Sequence, residues 1–454
     1  MKEKEEDNNT RSYYDDKYQK GKLPLLSLNF KKALKFLGPG LITGASDDDP
    51  SGIATYSQAG AKFGLGMLWL AIFQYPLMTV IQEMCARIGL ATGDGIAGIM
   101  RKKYSKKVVF PLVSLLLVAN TINIGADIGA MAASVRLVFP QIPIIVVTIS
   151  FAAFILAAEI LVPYEKYVRI LKYLTLSLFA YVATALIVGG NAIQIFLSSV
   201  IPHVEFTKDY AMMFVAIFGT TISPYLFFWQ ASEESEEDVA KHKIKDISQG
   251  KPKISRNEVK IMRMDVAVGM AFSIMIMSSI VVTTAGSLHA KGITNISTAQ
   301  EAAKALQPLV KTFPYSGEIA EMIFALGIVG TGLLAVPILA GSSAYAISDT
   351  FGWKQGLGKK FKQAKPFYLV IAISTTIGLG INFVNIDPIK ALIYTAVING
   401  ITAVPILFVI LRIANDKKIL EDKTNSSVSN VLGWITFLIM GISVVILLFT
   451  WGRS

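Results

Sequence analysis

Gly38-Pro39-Gly40-Leu41-Ile42-Thr43-Gly44-Ala45-Ser46-Asp47-Asp48-Asp49-Pro50-Ser51-Gly52-Ile53-Ala54-Thr55-Tyr56-Ser57-Gln58-Ala59-Gly60-Ala61 is the stretch on which the reading of this chain turns. It lies inside the first apolar segment, at about residues 35–64. An apolar helix needs about 20 residues to cross a bilayer. This one carries three adjacent carboxylates, a proline and a glycine near its middle. A charge at that depth costs at least about 2.5 kcal/mol. Pro50 removes a backbone donor and clashes with the preceding turn. Gly52 permits dihedrals that other residues avoid. The flanks, 36–45 and 53–63, are each too short to span alone. The expected structure is a helix that breaks at about 46–52, with unwound backbone and carboxylates facing a water-filled cavity. Irregular backbone is tolerated at membrane depth only in such a place. Broken helices of this kind mark substrate sites in secondary transporters.

Working outward, the whole chain reads as a polytopic membrane protein. It has 454 residues, 53% hydrophobic and only 17% charged. Its mean hydropathy is +0.53, whereas soluble domains are nearer a quarter charged. The single cysteine, Cys85, excludes a disulfide framework or a cysteine metal site. The first 30 residues are polar and without an apolar signal segment, as expected of a flexible cytoplasmic tail.

Apolar segments fall at about 35–64, 66–88, 108–139, 142–161, 168–200, 210–234, 262–286, 319–348, 367–385, 388–413 and 430–450. Basic residues concentrate in alternate connections. Arg101, Lys102, Lys103, Lys106 and Lys107 follow the second segment. Lys166, Arg169 and Lys172 follow the fourth, and Lys354, Lys359, Lys360, Lys362 and Lys365 the eighth. This positive-inside pattern places the N-terminus in the cytoplasm and the C-terminus outside. The net charge of +11 is then a consequence of topology, and nucleic acid is excluded as a partner. The bilayer and the transported solute are the expected partners, and a monomer suffices.

A second interruption lies in the sixth segment, at Phe218-Gly219-Thr220-Thr221-Ile222-Ser223-Pro224-Tyr225. Paired interruptions at the start of two five-helix halves point to an inverted repeat with its site between them. The expected division is a tail at 1–30, a first repeat at 31–200 and a second at 201–413. Residues 414–454 add a linker and an eleventh helix. The second repeat would hold a cytoplasmic loop at about 235–261 and an extracellular loop at about 287–318. The Glu233–Asp238 run reads as a solvated extension of the sixth helix. A capped amphipathic helix is expected in the outer loop around Ser297–Leu306.

Further polar groups sit at membrane depth. Asn120, Asn123 and Asp127 are three and four residues apart, so they share a helix face. They serve either as a polar relay or as helix-to-helix hydrogen bonds. Asn399 is well inside the tenth segment, and Asp387-Pro388 reads as its cap. The groups near the breaks are carboxylate, hydroxyl, amide and main-chain carbonyl, with no imidazole or thiol. That set suits a hard cation such as Mg²⁺, Ca²⁺ or Mn²⁺.

Over nearly its whole length the chain resembles the Nramp family of divalent metal transporters. Gly38-Pro39-Gly40, eight residues, then Asp49-Pro50 reproduces the spacing before that family's Asp-Pro-Gly-Asn motif. Gln58-Ala59-Gly60-Ala61 repeats its Gln-Ala-Gly-Ala, and Asp387-Pro388 with Lys390 resembles the start of its tenth helix. The resemblance implies an all-α, LeuT-like fold of five plus five helices with broken helices 1 and 6, here with an eleventh helix. It places Asp49 on the family's metal-binding aspartate. The departures are equally specific. Gly52 stands where the family has its binding asparagine, and Ser223-Pro224-Tyr225 where it has Met-Pro-His. Asn123 and Ala126 replace the proton-route Asp and Glu, no arginine lies in the ninth helix, and Ala396 replaces a glutamine. In lacking parts of that machinery the chain also resembles the Nramp-related magnesium transporters.

The leading expectation is a secondary transporter of a divalent cation, Mg²⁺ or Mn²⁺ first, with weak or absent proton coupling and no resident cofactor. Asp49, Asp48 and Thr220 are the candidate metal ligands. Asp47, Ser51, Gly52, Ser223, Tyr225, Gln230 and Asn399 complete the candidate substrate site, and Asn120, Asn123 and Asp127 form a proton or polar relay. The competing expectation is a carrier of a different small solute, an anion or an organic molecule, on the same scaffold. A non-transporting sensor is a third. No nucleophile–base constellation or phosphate loop suggests an enzyme. The expected location is the plasma membrane of a prokaryote.

Overall fold

The computed structural model describes residues 38–162, 175–384 and 387–451. All regular elements among them are helices. The first half contains α1 (Pro39–Asp47), α2 (Pro50–Phe63), α3 (Trp69–Thr92), α4 (Ile96–Lys103), α5 (Lys106–Val138), α6 (Ile144–Leu161), α7 (Phe179–Val188) and α8 (Ala192–Val200). The second contains α9 (Lys208–Thr221), α10 (Pro224–Ala240), α11 (Arg256–Ser287), α12 (Ser316–Phe351), α13 (Lys365–Ile381) and α14 (Pro388–Ala414). The last helix is α15 (Ser427–Trp451). Each apolar segment read from the sequence holds at least one of these helices. Among the described residues, seven runs are long and apolar enough to cross a membrane unaided, and nine when two bent pairs are counted. The chain is an integral membrane protein.

Proline chemistry makes both breaks. A residue before proline is pushed out of the helical region. Asp49, before Pro50, is extended at φ −66°, ψ 173°. Ser223, before Pro224, sits at φ −76°, ψ 134°. Each proline then starts the next helix, where its missing N–H is no loss. The interruptions are therefore two residues each, Asp48–Asp49 and Ile222–Ser223.

Packing follows the order of a repeat. The first broken helix lies on α11, the seventh span, and the sixth lies on α3, the second span. α5 and α12, the third and eighth spans, run along each other. Small residues allow close approach, as in membrane helix pairs generally. A Cβ on Gly44 would lie 2.2 Å from the Gly269 carbonyl oxygen, and one on Gly269 would lie 2.1 Å from that of Gly40. The Asp265 carboxylate of α11 accepts from the backbone N–H of Gly38 (3.1 Å) and Gly40 (2.8 Å). It thereby places negative charge at the start of α1.

Several expectations need correction. The fifth segment, 168–200, is not a straight helix: in its described part α7 and α8 meet at 117° across Gly189–Asn191, and α8 buries no residue. The loop expected at 235–261 is shorter, because α10 continues to Ala240 and α11 begins at Arg256. The Glu233–Asp238 run is not a solvated extension. Glu234, Ser235 and Asp238 are buried. Glu236 accepts from the Tyr345 hydroxyl (2.5 Å) and from the N–H of Leu357 (2.6 Å). Lys243 pairs with Asp238 (2.9 Å), and Lys241 with Glu237 (3.2 Å). The acidic run is a socket for the connections that follow α10 and α12. Its partners are distant in sequence, which is why local composition misreads it. In the outer loop Thr298 and Glu301 form a capping box for the short helix Ala299–Ala303, and Asp387 caps α14 through the N–H of Ile389 and Lys390. The tail at 1–30, the basic connection at 166–172 and Asn385 lie outside the described residues.

Candidate substrate site between the two helix breaks

The two breaks touch. A Cβ added to Gly52 would meet the Asp47 carbonyl oxygen at 3.1 Å, the Thr220 hydroxyl oxygen at 3.2 Å and the Tyr56 ring at 3.3 Å. The first turn of α2, the unwound residues before it and the end of α9 therefore share one small space. Asp47, Asp48, Asp49, Ser51, Thr220 and Ser223 are all buried there.

The three aspartates point different ways. Asp49 caps α2. Its Oδ1 accepts from the Gly52 N–H (2.7 Å) and the Ser51 hydroxyl (2.6 Å), and its Oδ2 accepts from the Asn123 amide of α5 (3.1 Å). Asp47 Oδ2 accepts from the Ser273 hydroxyl of α11, and its Oδ1 has no partner among the described residues. Both oxygens of Asp48 are buried without a partner among the described residues. Asp127, one turn beyond Asn123, is also fully buried with both oxygens unpartnered. It lies within the field of Asp49 and of Tyr225. The hydroxyls of Tyr56 and Thr220, which lie beside each other, and the Oδ1 of Asn123 are further buried polar atoms without a well-formed hydrogen bond among the described residues. No group of three carboxylate, imidazole or thiol side chains converges on a point among the described residues.

Other expected site residues are already engaged. The Ser223 hydroxyl donates to the carbonyls of Gly219 (2.6 Å) and Thr220 (2.8 Å), satisfying the orphan acceptors that a helix end leaves. Tyr225 donates to the Ser46 carbonyl (3.0 Å) and ties α10 to the end of α1. Gln230 stands two turns from the break. Its Oε1 accepts from Thr43 (2.6 Å) and its Nε2 donates to Glu234 (3.0 Å), so it stitches α1 to α10 rather than facing the central space. Asn120 donates to the Leu339 carbonyl and the Ser343 hydroxyl of α12, the helix-to-helix role. Its Oδ1 stays free. Asn399 is buried in α14 with all its side-chain polar atoms unpartnered.

Sequence reasoning missed Ser273 and Tyr56. Ser273 donates to Asp47 and lies beside Asp48. Nothing in the sequence around it distinguishes it from the other hydroxyls of α11. Tyr56 had a usable signal: it is one turn beyond Gly52 on a helix that starts at Pro50, so it shares the face of the break.

Comparison with known proteins gives the family and the fold. Residues 40–450 match the model of the Nramp family, described as natural resistance-associated macrophage protein-like. Among solved structures, the manganese transporter of Eremococcus coleocola superposes with a TM-score of 0.69 at 16% identity, covering 93% of this chain and 88% of that one. MhsT, solved in complex with L-phenylalanine, gives 0.57 at 10% identity, covering 90% and 98%. Mhp1, a nucleobase-cation-symport-1 family transporter, gives 0.50 at 14% identity, covering 91% and 93%. These likenesses carry the fold: an inverted repeat of the LeuT type with two broken helices. From the family match and this architecture, the chain belongs to the Nramp family and is a membrane transporter, not an enzyme.

Proposed function

We propose that this transporter carries a divalent cation, Mg²⁺ or Mn²⁺, between the two helix breaks by alternating access, with weak or absent proton coupling. The observation that carries the reading is the set of buried, unpartnered carboxylate oxygens: two on Asp48, one on Asp47 and two on Asp127. An unpaired carboxylate in a dry interior costs several kcal/mol, on the order of 3–5. A bound dication relieves that cost. The donors around the space are oxygen and amide throughout, which suits hard cations. The carboxylates do not converge, so the ion keeps part of its water shell, and Mg²⁺ dehydrates reluctantly.

In this reading Asp49, held by Ser51, Gly52 and Asn123, is the fixed anchor. Asp48 supplies the mobile charge, and Tyr56 and Thr220 orient bound water. Asp127 and Asn123 form the polar route beside it. The residues of the break are buried, which is compatible with an occluded step of alternating access. The manganese transporter among the fold neighbours supports the cation class. The basic connections support a cytoplasmic N-terminus. A second reading, a different small solute, draws on the absence of a converging carboxylate cage among the described residues. The five unpartnered oxygens oppose it.

The test is uptake by proteoliposomes of Mg²⁺, Mn²⁺ and Ca²⁺, with Asp49→Ala as control. Uptake of Mg²⁺ or Mn²⁺ that the control abolishes is the expected result. No uptake of any of the three by folded wild-type protein would overturn the reading.

A further inference from the structure

A three-ring shelf stands at the junction of α5 and the end of α12. The rings of Phe110 and Phe351 are 5.5 Å apart at 66°, and those of Phe351 and Trp353 stack at 4.9 Å and 15°. All three are exposed, at 38%, 49% and 39%. Stacked aromatics left uncovered at a helix end suit the boundary between acyl chains and headgroups.

The shelf is bordered by cations. Lys106 and Lys107 are four and three residues before Phe110, so they share its helix face. Lys354 follows Trp353. The Arg101 side chain crosses from α4 so closely over Gly352 that a Cβ there would lie 2.2 Å from its Nη1. Arg101 lies in the field of the buried Asp349 carboxyl. The neighbouring lysines are spoken for: Lys102 pairs with Asp94 (2.6 Å) and Lys103 with Asp416 (2.5 Å). Arg101, Lys106, Lys107 and Lys354 are exposed and form no ion pair with any described residue. These four cations stand beside an exposed aromatic surface.

We propose that this patch binds an anionic phospholipid. Its phosphate would lie among Arg101, Lys106, Lys107 and Lys354, and its chains along Phe110, Phe351 and Trp353. Charge complementarity selects the occupant: a zwitterionic lipid brings no net negative charge to the four cations, and free phosphate leaves the rings uncovered. The bound lipid would clamp α4 and α5 to the end of α12.

The experiment places the full chain in nanodiscs of phosphatidylcholine with or without phosphatidylglycerol. Retained lipid is read by native mass spectrometry and the unfolding midpoint by scanning fluorimetry. The variant is Arg101→Gln/Lys106→Gln/Lys107→Gln. A control with the same charge loss elsewhere is Lys260→Gln/Lys362→Gln/Lys417→Gln. Each cation at an anionic surface contributes about a fivefold change in affinity. The triple variant should therefore bind phosphatidylglycerol on the order of a hundredfold more weakly and lose its lipid-dependent rise in midpoint. Wild type and control should keep both. A variant that retains phosphatidylglycerol as wild type does, or a control that loses it equally, would overturn the proposal. Unchanged midpoints in pure phosphatidylcholine show that the variants fold.

Discussion

Asp48→Asn separates binding from folding at the proposed site. Asp48 is buried with both oxygens unpartnered, between Asp47 and Asp49. If its charge is there for a cation, the empty protein bears its cost. An uncompensated buried charge is worth about 3–5 kcal/mol, less whatever a shared proton recovers. The amide is nearly isosteric and removes the charge without leaving a cavity. Empty Asp48→Asn should thus be more stable than empty wild type, by about 1–3 kcal/mol after that discount. The cation response should move the other way. A ligand at 100 times its dissociation constant stabilises by about 2.7 kcal/mol. Wild type should show such a rise with Mg²⁺ or Mn²⁺, and Asp48→Asn should lose most of it. The assay is the unfolding midpoint in detergent across a cation titration, with EDTA as the empty state. A variant less stable than wild type in EDTA, with its cation response intact, would refute the reasoning. Asp48 would then be a structural group with a partner that the geometry does not reveal.

Gly52→Ala should weaken transport and destabilise the fold by about 1–3 kcal/mol, because the new Cβ meets Asp47, Thr220 and Tyr56 at 3.1–3.3 Å; uptake and midpoint equal to wild type would contradict the contact between the breaks. Cd²⁺ should show no advantage over Mn²⁺, for want of a sulfur donor, and Ser223→Met should create one; competition assays in liposomes check both. Cation-driven acidification, read with an internal pH dye, should be weak; where present it should fall in Asp47→Asn, Asp48→Asn or Asp127→Asn, and its survival in all three would place the proton route elsewhere. Gly219→Ala should fail to accumulate as folded protein, because its Cβ would lie 1.9 Å from the Ala396 carbonyl oxygen and 2.4 Å from the Gly400 nitrogen of α14; a monodisperse variant by size exclusion would count against that packing.

The sequence by itself determined the features governed by local chemistry. Hydropathy placed the apolar segments, since each must match the bilayer wherever its neighbours lie. Asp-Pro and Ser-Pro determined the two breaks, because proline constrains its predecessor directly. Asp387 was legible as a cap, because its partners are within three residues. What only the tertiary structure decided concerns side chains whose partners come from elsewhere. Three consecutive aspartates look equivalent in the chain, yet Ser273 of α11 takes one and Asn123 of α5 another, and Asp48 is left bare. Gln230 reads like a site residue until Thr43 and Glu234 are seen to hold it. The Glu233–Asp238 run looks soluble until Tyr345, Leu357 and Lys243 close over it. Hydropathy and propensity act over a few residues along the chain. A buried carboxylate is satisfied or left bare by helices more than 70 residues away, and only packing brings those together.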